Sequence, residues 1–103
     1  MKDTVAGFDW DAGNLEKCRK HGVSRAEIEA LFLNPPAVFM DDRHSASEKR
    51  FKAAGKGHAN RMIFLVFTLR SRSGRTYIRP ISARYMHKKE VQRYEKEISG
   101  LQN

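Results

Sequence analysis

Two kinds of side chain in this sequence suit chemistry on a phosphodiester. Histidine has a reference pKa of about 6.5, so it can take up and release a proton near neutral pH. The guanidinium of arginine stays charged, and its fork of N–H donors matches the oxygens of a phosphate. The candidates for proton transfer are His21 and His87, and the candidates for phosphate binding are Arg50, Arg79 and Arg84.

This combination predicts cleavage of RNA without a metal ion. In that reaction the 2′-hydroxyl attacks the adjacent phosphorus, so the protein has only to move protons and to stabilise the charge on the phosphorane. Tyr85 is expected to stack on a base or to donate to a phosphate. The sequence has no glycine-rich phosphate loop, no HExxH motif and no second cysteine beside Cys18. We therefore expect neither a cofactor nor a metal.

Each candidate also has a structural interpretation. His21 fits a helix C-terminus, where a cation complements the helix dipole, and the sequence alone favours this interpretation. Glu48 and Arg50 are separated by one residue on a predicted strand and fit a surface ion pair, which contributes little stability. Lys88 follows His87 at the start of the last predicted helix and fits a solvated first turn.

The relative placement of the two later arginines depends on the shape of one strand. Because side chains alternate along a strand, Arg79 and Arg84 point to opposite faces unless the strand is irregular between them. Pro80 lacks a backbone donor and is typical of a bulge or an edge, so it predicts such an irregularity. We expect the end of this strand to meet the tip of the first helix, so that both arginines and His21 surround one phosphate.

The charge balance points to a polyanionic partner. The chain of 103 residues carries 20 Lys and Arg against 12 Asp and Glu, a formal charge of +8. Each contact with a phosphate releases counterions, which favours nucleic acid as that partner. A solubility surface and an acidic protein partner are the alternatives. No apolar run approaches the roughly 18 residues of a membrane span, and no signal peptide begins the chain, so a cytoplasmic location is expected.

The periodicity predicts one α+β domain over residues 1–103, with two N-terminal helices, a four-stranded antiparallel sheet and a C-terminal helix. The first helix starts after Asp11, a plausible N-cap, and ends near Gly22. The second starts at the capping box of Ser24 and Glu27 and stops at Asn34–Pro35. The predicted strands are Ala37–Met40, Glu48–Gly55, Met62–Leu69 and Thr76–Arg84.

Two further patterns complete this prediction. Met62–Leu69 is apolar without alternation, which is typical of a central strand covered on both faces. After Arg84 the period returns to 3.6 residues, which predicts a helix with one apolar face. That face consists of Val91, Tyr94, Ile98 and Leu101.

Taken together, these motifs resemble those of the BrnT family of bacterial toxins. The likeness extends from Phe8 to about Glu97, and the combination of KHGVS with a later ISAR in a short basic chain is its most specific part. The matching segments are Phe8–Asp11, Asn14, Lys20–Ser24, Glu27, Phe32, Asn34–Pro35, Asp41–Asp42, Glu48–Phe51, Gly55, Thr68, Arg79–Arg84, Glu90 and Tyr94.

The resemblance implies a metal-independent ribonuclease toxin of a type II toxin–antitoxin pair with a RelE-like fold. It implies neutralisation by a BrnA-like antitoxin, whose ribbon-helix-helix dimer binds operator DNA. It assigns catalysis to the KHG motif, to the strand-end arginines and, less directly, to the EKR segment. These residues are Lys20, His21, Arg79, Arg84, Glu48 and Arg50. We predict further RNA contacts from Arg61, Tyr85, His87 and Lys88.

Two other hypotheses stay open at this point. A nucleic-acid-binding module without catalysis would keep the basic surface and leave RNA intact. A protein-interaction module would use the same surface to receive an acidic segment of an antitoxin. Both predict that mutation of the basic residues weakens binding rather than cleavage.

Overall fold

The computed structural model describes residues 5–33, 36–41, 48–57 and 60–102 of the chain. They form a compact α+β domain in which a five-stranded sheet has the order β1-β5-β4-β3-β2. Among the described residues, no helix is long and apolar enough to cross a membrane. The elements in chain order are β1 (Val5–Phe8), α1 (Ala12–Arg19), α2 (Arg25–Leu31), β2 (Ala37–Asp41), β3 (Arg50–Lys56), β4 (Met62–Arg72), β5 (Arg75–Tyr85) and α3 (Lys88–Gln102).

The predicted α+β class is confirmed, but the prediction of four strands is wrong because β1 precedes the first helix. β1 runs parallel to β5, with Phe8 opposite Ile78, whereas the other neighbouring strands are antiparallel. β1 has only four residues. So short a segment carries no periodicity of its own, and it becomes a strand through its pairing with β5.

The helix boundaries follow local signals in the sequence. Asp11 and Asn14 form a capping box at the start of α1, and Ser24 and Glu27 form the predicted one at the start of α2. Gly22 has φ of +87°, the left-handed conformation that glycine adopts most readily and that ends α1. The predicted stop at Asn34–Pro35, the acidic Asp42 and the side chains of Ile98 and Leu101 lie outside the described residues.

The hydrophobic core lies between the two N-terminal helices and one face of the sheet. The ring of Phe67 stacks on Phe51 and meets Phe32 edge-on, with centroids 5.4 and 5.5 Å apart. Cys18 is fully buried in this core, and desolvation raises the pKa of its thiol to about 11. The buried cluster consists of Cys18, Val23, Ile28, Leu31, Ala53, Ile63, Leu65, Phe67, Ile78 and Ala83.

A bulge interrupts β5 at the place that its proline predicts. Ser82 lies opposite Val66, but Pro80 lies opposite Phe67, so Ile81 is an extra residue on β5. An extra residue shifts the alternation of side chains by one position. The sequence expectation of an irregularity beside Pro80 is thereby confirmed.

The bulge places two arginines on one face of the sheet. Arg79 pairs with Thr68 and Arg84 pairs with Phe64, and these two β4 residues point to the same side because they are four positions apart. This is the side opposite to the core. We call it the open face, meaning the face of the sheet that α1 and α2 do not cover.

Asn14 joins β1, α1 and the bulge of β5. Its Nδ2 donates to the carbonyl oxygens of Asp9 and Pro80, each at 2.9 Å, and its Oδ1 accepts from the backbone N–H of Asp11 at 2.7 Å. Its backbone N–H donates to Oδ1 of Asp11. Because Asn14 is buried, water cannot reach these polar groups, and each of them depends on its bond with Asn14.

Replacing Asn14 should therefore destabilise the whole domain. We expect Asn14→Ala to lower the free energy of unfolding by about 1–3 kcal/mol, because buried carbonyls lose their donors. Asn14→Asp should cost as much, since it turns a carboxylate oxygen toward two carbonyls. Urea denaturation followed by circular dichroism measures both. Glu16→Ala, an exposed change on the same helix, is the control, and a fully stable Asn14→Asp would contradict the role of Nδ2.

Candidate nucleic-acid interface

Several cationic side chains share the open face of the sheet, and four of them lie on β3 and β5. Arg79, Thr68 and Arg50 lie directly across β5, β4 and β3, so the two arginines flank Thr68. With neighbouring strands about 4.8 Å apart, their Cα atoms are about 10 Å from each other. Lys52 follows on β3, and Arg84 lies toward the other end of β5. The register does not test the catalytic roles predicted for Arg50, Arg79 and Arg84, but it brings these three residues to one surface.

Two carboxylates hold the guanidinium of Arg79. Nη2 lies 3.0 Å from Oδ2 of Asp11, and Nη1 lies 3.7 Å from Oδ2 of the buried Asp9. Oδ1 of Asp9 accepts a hydrogen bond from Arg72. The backbone N–H of Asn14, with a smaller contribution from Arg79, lowers the pKa of Asp11. Arg79 is therefore oriented by the same loop that caps α1.

The carboxylate of Glu90 holds the guanidinium of Arg84. Its two terminal nitrogens donate to the two oxygens of Glu90 at 2.7 and 2.8 Å, and its guanidinium lies 4.9 Å from the ring centroid of Phe64. The carboxylate of Glu90 also accepts the backbone N–H of His87 at 2.9 Å. The hydrogen bonds from Arg84, and then that from His87, lower the pKa of Glu90 to about 2. His87 and the adjoining Lys88, both exposed, thus stand beside Arg84.

The sequence analysis missed Lys52, which belongs to this surface. Its Nζ lies 4.0 Å from Oδ1 of Asp41, a carboxylate that is almost fully buried. Lys52 pairs with Val66 and with Phe39, between the rows that contain Arg50 and Arg84. Its position two residues after Arg50 on one strand is the signal that would have identified it.

A hollow of about 260 Å³ opens beside Arg79. Lys17, another residue that the sequence analysis missed, lies across this hollow from the strand, one helical turn after Asn14. Its ammonium and the guanidinium of Arg79 give the hollow two positive charges. The lining residues are Gly13, Asn14, Lys17, Arg79, Pro80 and Ile81.

Tyr85 and Arg61 form a separate cluster on the helix-covered side. Tyr85 pairs with the core residue Ile63, and its hydroxyl donates to the carboxylate of Glu27 at 2.8 Å. This hydrogen bond raises the pKa of Tyr85. The guanidinium of Arg61 lies 3.6 Å from the centroid of the Tyr85 ring. One face of that ring is therefore already covered by Arg61, and stacking of a base on Tyr85 stays a prediction.

The structure does not bring His21 to Arg79. The N-terminal end of α1 contacts Arg79 through Asp11, whereas Gly22, beyond its C-terminal end, contacts Tyr85. α1 has eight residues, so about 12 Å of helix separates the two ends. Lys20 and His21, both exposed, stand at the Tyr85 end. The sequence gives no indication of which helix end faces the bulge.

Glu48 lies at the margin of the open face. Its Oε1 lies 3.5 Å from Nη2 of Arg70, and both side chains are more than a third exposed. Such a pair is worth at most a few tenths of a kcal/mol to about 1 kcal/mol in stability. Glu48 is thus part of an exposed ion pair with Arg70 on β4, whereas the pair of Glu48 with Arg50 that the sequence suggests stays a prediction. Among the described residues, no group of three potential ligands is arranged to hold a metal ion.

A small basic α+β domain with arginines fixed on the open face of its sheet is the class that this fold and surface define. A family model described as "Ribonuclease toxin, BrnT, of type II toxin-antitoxin system" matches residues 10–90. The chain therefore belongs to the BrnT family of ribonuclease toxins, as its sequence motifs predict. No curated protein matches the chain. Membership in a type II toxin–antitoxin family implies an antitoxin partner and an RNA target.

The ion pair of Arg84 with Glu90 should make stability depend on acid. Because the folded state holds the pKa of Glu90 near 2, below the usual value near 4.5, the stabilisation is complete above about pH 4.5 and is lost as the pH falls toward 2. Glu90→Gln should cost no more than about 1 kcal/mol at pH 7, because solvent screens the pair. Urea denaturation at pH 7 and pH 2.5 should show the difference from wild type shrinking in acid.

The control for this comparison is Glu16→Gln, an exposed substitution of the same chemistry. A difference between Glu90→Gln and wild type that stays constant from pH 7 to pH 2.5 would contradict the ion-pair origin.

Proposed function

We propose that this toxin is a metal-independent endoribonuclease whose active surface is the open face of its sheet. The observation that carries the proposal is the register of β5. The bulge at Ile81 puts Arg79 and Arg84 on the same face as Arg50 and Lys52. A single RNA strand laid across β3, β4 and β5 would meet these four cations with its phosphates.

Arg79 is the residue we assign to the phosphorane. Asp11 and Asp9 orient its guanidinium before RNA arrives, so little freedom is lost when it binds. A guanidinium has five N–H donors, and the carboxylates leave several of them for phosphate oxygens. Fixed donors of this kind stabilise the charge that develops in the transition state. Lys17, across the hollow, would bind the neighbouring phosphate.

Proton transfer is assigned to His87 rather than to His21. The carboxylate of Glu90 contacts both the Arg84 side chain and the His87 backbone, which keeps this histidine at the border of the open face. His21 stands with Lys20 at the opposite end of α1. We propose that these two residues, with Arg61, contact RNA outside the reacting phosphate.

The partner is proposed to be a BrnA-like antitoxin. In this proposal its ribbon-helix-helix dimer binds operator DNA, and a separate segment binds the toxin. Cleavage in the cytoplasm would then inhibit translation whenever the antitoxin is degraded. A chain that binds RNA and leaves it intact would instead support a non-catalytic binding module.

Substitution of Arg79 is the most direct test of the proposed active surface. Purified chain, incubated with RNA in EDTA, should release fragments with 2′,3′-cyclic phosphate ends. Arg79→Lys should lower the cleavage rate by about 10²–10³-fold, because a point charge lacks the oriented fork. The matched control is Arg75→Lys at the exposed tip of the β4–β5 hairpin. A strict need for Mg²⁺, or equal rates for both variants, would contradict the assignment.

The two histidines give a separate test of the mechanism. His87→Ala should lower the cleavage rate by about 10²–10⁴-fold, the usual contribution of a general acid or base, and should remove one limb of the pH–rate profile. His21→Ala should weaken RNA binding and leave that profile unchanged. The measurement is single-turnover cleavage from pH 5 to pH 9. The opposite ranking of the two variants would move the active surface to the Tyr85 end of α1.

A further inference from the structure

The strand β2 is unusually apolar for its exposed position. Among the described residues, the exposed large hydrophobic side chains are those of Leu33, Val38, Phe39 and Met40. Three of the four are consecutive residues of β2, and each of these three is between 39% and 49% exposed. A contiguous apolar surface of this kind marks an interaction site more often than a solvated one.

The backbone of β2 is also available for pairing. β2 is the last strand of the sheet order and is hydrogen-bonded to β3 on one side. Within the described part of the chain, no strand covers its other edge. Proteins usually protect such an edge with charges, prolines or bulges. Residues 37–40 contain none of these, so the edge can accept another extended segment.

The two faces of β2 offer different surroundings to such a segment. Val38 and Met40 lie opposite Ala53 and Phe51, so their side chains are on the same face of the sheet as the core but remain exposed. Phe39 points to the open face and borders a hollow of about 180 Å³. This hollow is lined by Phe39, Ala53, Ala54, Phe64, Met86, Glu90, Arg93 and Tyr94.

The charges around β2 indicate which kind of partner segment would pair with it. Lys52 lies directly across from Phe39, and its side chain is 39% exposed although Asp41 is 4.0 Å away. Arg93, at the margin of the hollow, is exposed. The whole chain carries a charge of +8. An acidic segment is attracted to this edge, whereas a second copy of the chain would bring the same cations against each other.

We propose that the outer edge of β2 is the docking site of the antitoxin, which adds an extended segment to the sheet. The segment carries apolar side chains that cover Val38, Met40 and Phe39, and carboxylates that face Lys52. Main-chain hydrogen bonds supply affinity and the alternating side chains supply specificity. This inference deepens the proposed function, because it names the partner chemistry and its place.

The position of β2 links this docking to neutralisation. Phe39, Lys52, Val66 and Ser82 lie in one row across β2, β3, β4 and β5. A segment seated on Phe39 would engage Lys52 and approach the row that contains Arg50. It would therefore remove a cation from the RNA surface without touching Arg79.

A pair of substitutions on β2 tests the proposal. The double variant Val38→Glu/Met40→Glu should weaken binding of the purified antitoxin of the same module at least about tenfold, measured by calorimetry, because two carboxylates on the edge strand repel an acidic segment and cannot pack against its apolar side chains. Leu33→Glu, which replaces an even more exposed hydrophobic residue outside β2, is the matched control and should bind normally. Equal affinity for the double variant and wild type would overturn the proposal, as would an equal loss in Leu33→Glu.

A second measurement uses the unchanged chain and does not depend on the folding of any variant. Hydrogen exchange of the wild-type toxin should slow at the amides of residues 37–40 when the antitoxin is bound. Exchange that stays unchanged there would overturn the proposal. So would slowing at these amides on self-association or on addition of RNA alone.

These measurements separate the inference from the proposed function. Antitoxin binding and hydrogen exchange need no catalysis, and β2 contains none of the residues assigned to cleavage. A chain that captures the antitoxin through β2 but leaves RNA intact keeps the inference and refutes the nuclease. A chain that cleaves RNA but binds the antitoxin elsewhere does the reverse.

Discussion

The hydrogen bonds of Asn14 are the constraint on which the rest of this structure depends. One buried side chain ends β1 at Asp9, starts α1 at Asp11 and satisfies the carbonyl of Pro80 beside the bulge. The carboxylates of the first two partners then hold Arg79. The fold and the candidate site therefore depend on the same contacts. The side-chain amide of Asn14 fixes the backbone at Asp9 and Asp11, and the carboxylates of these two residues orient Arg79.

Carboxylates also hold two other cations of the open face. Arg84 is held by Glu90, and Lys52 lies near Asp41. The carboxylates beside Arg79, Arg84 and Lys52 lower the net charge of the surface, so long-range attraction of RNA is weaker than three unpaired cations would provide. In exchange, the donors have fixed directions. For a reaction whose barrier is mainly electrostatic, fixed donors contribute more than additional mobile charge.

The sequence predicts the parts of the fold that depend on neighbouring residues. The two capping boxes, the apolar strand β4 and the irregularity at Pro80 rest on local chemistry and are confirmed. Local chemistry does not determine which distant segments pair. The strand β1 depends on its parallel pairing with β5, and the separation of His21 from Arg79 depends on which end of α1 lies beside the bulge, so the sequence predicts neither. Lys52 was missed for a different reason, because its spacing from Arg50 is a local signal that was overlooked.

The burial of Cys18 has a practical consequence. It is the sole cysteine of the chain, it is fully enclosed, and its raised pKa keeps the sulfur protonated at neutral pH. Alkylating reagents and mild oxidants attack the thiolate, so the native molecule should remain inert toward both. A cysteine introduced on the surface would then be the one reactive position, and a spectroscopic label attached there would report on a single, known site without removal of any native residue.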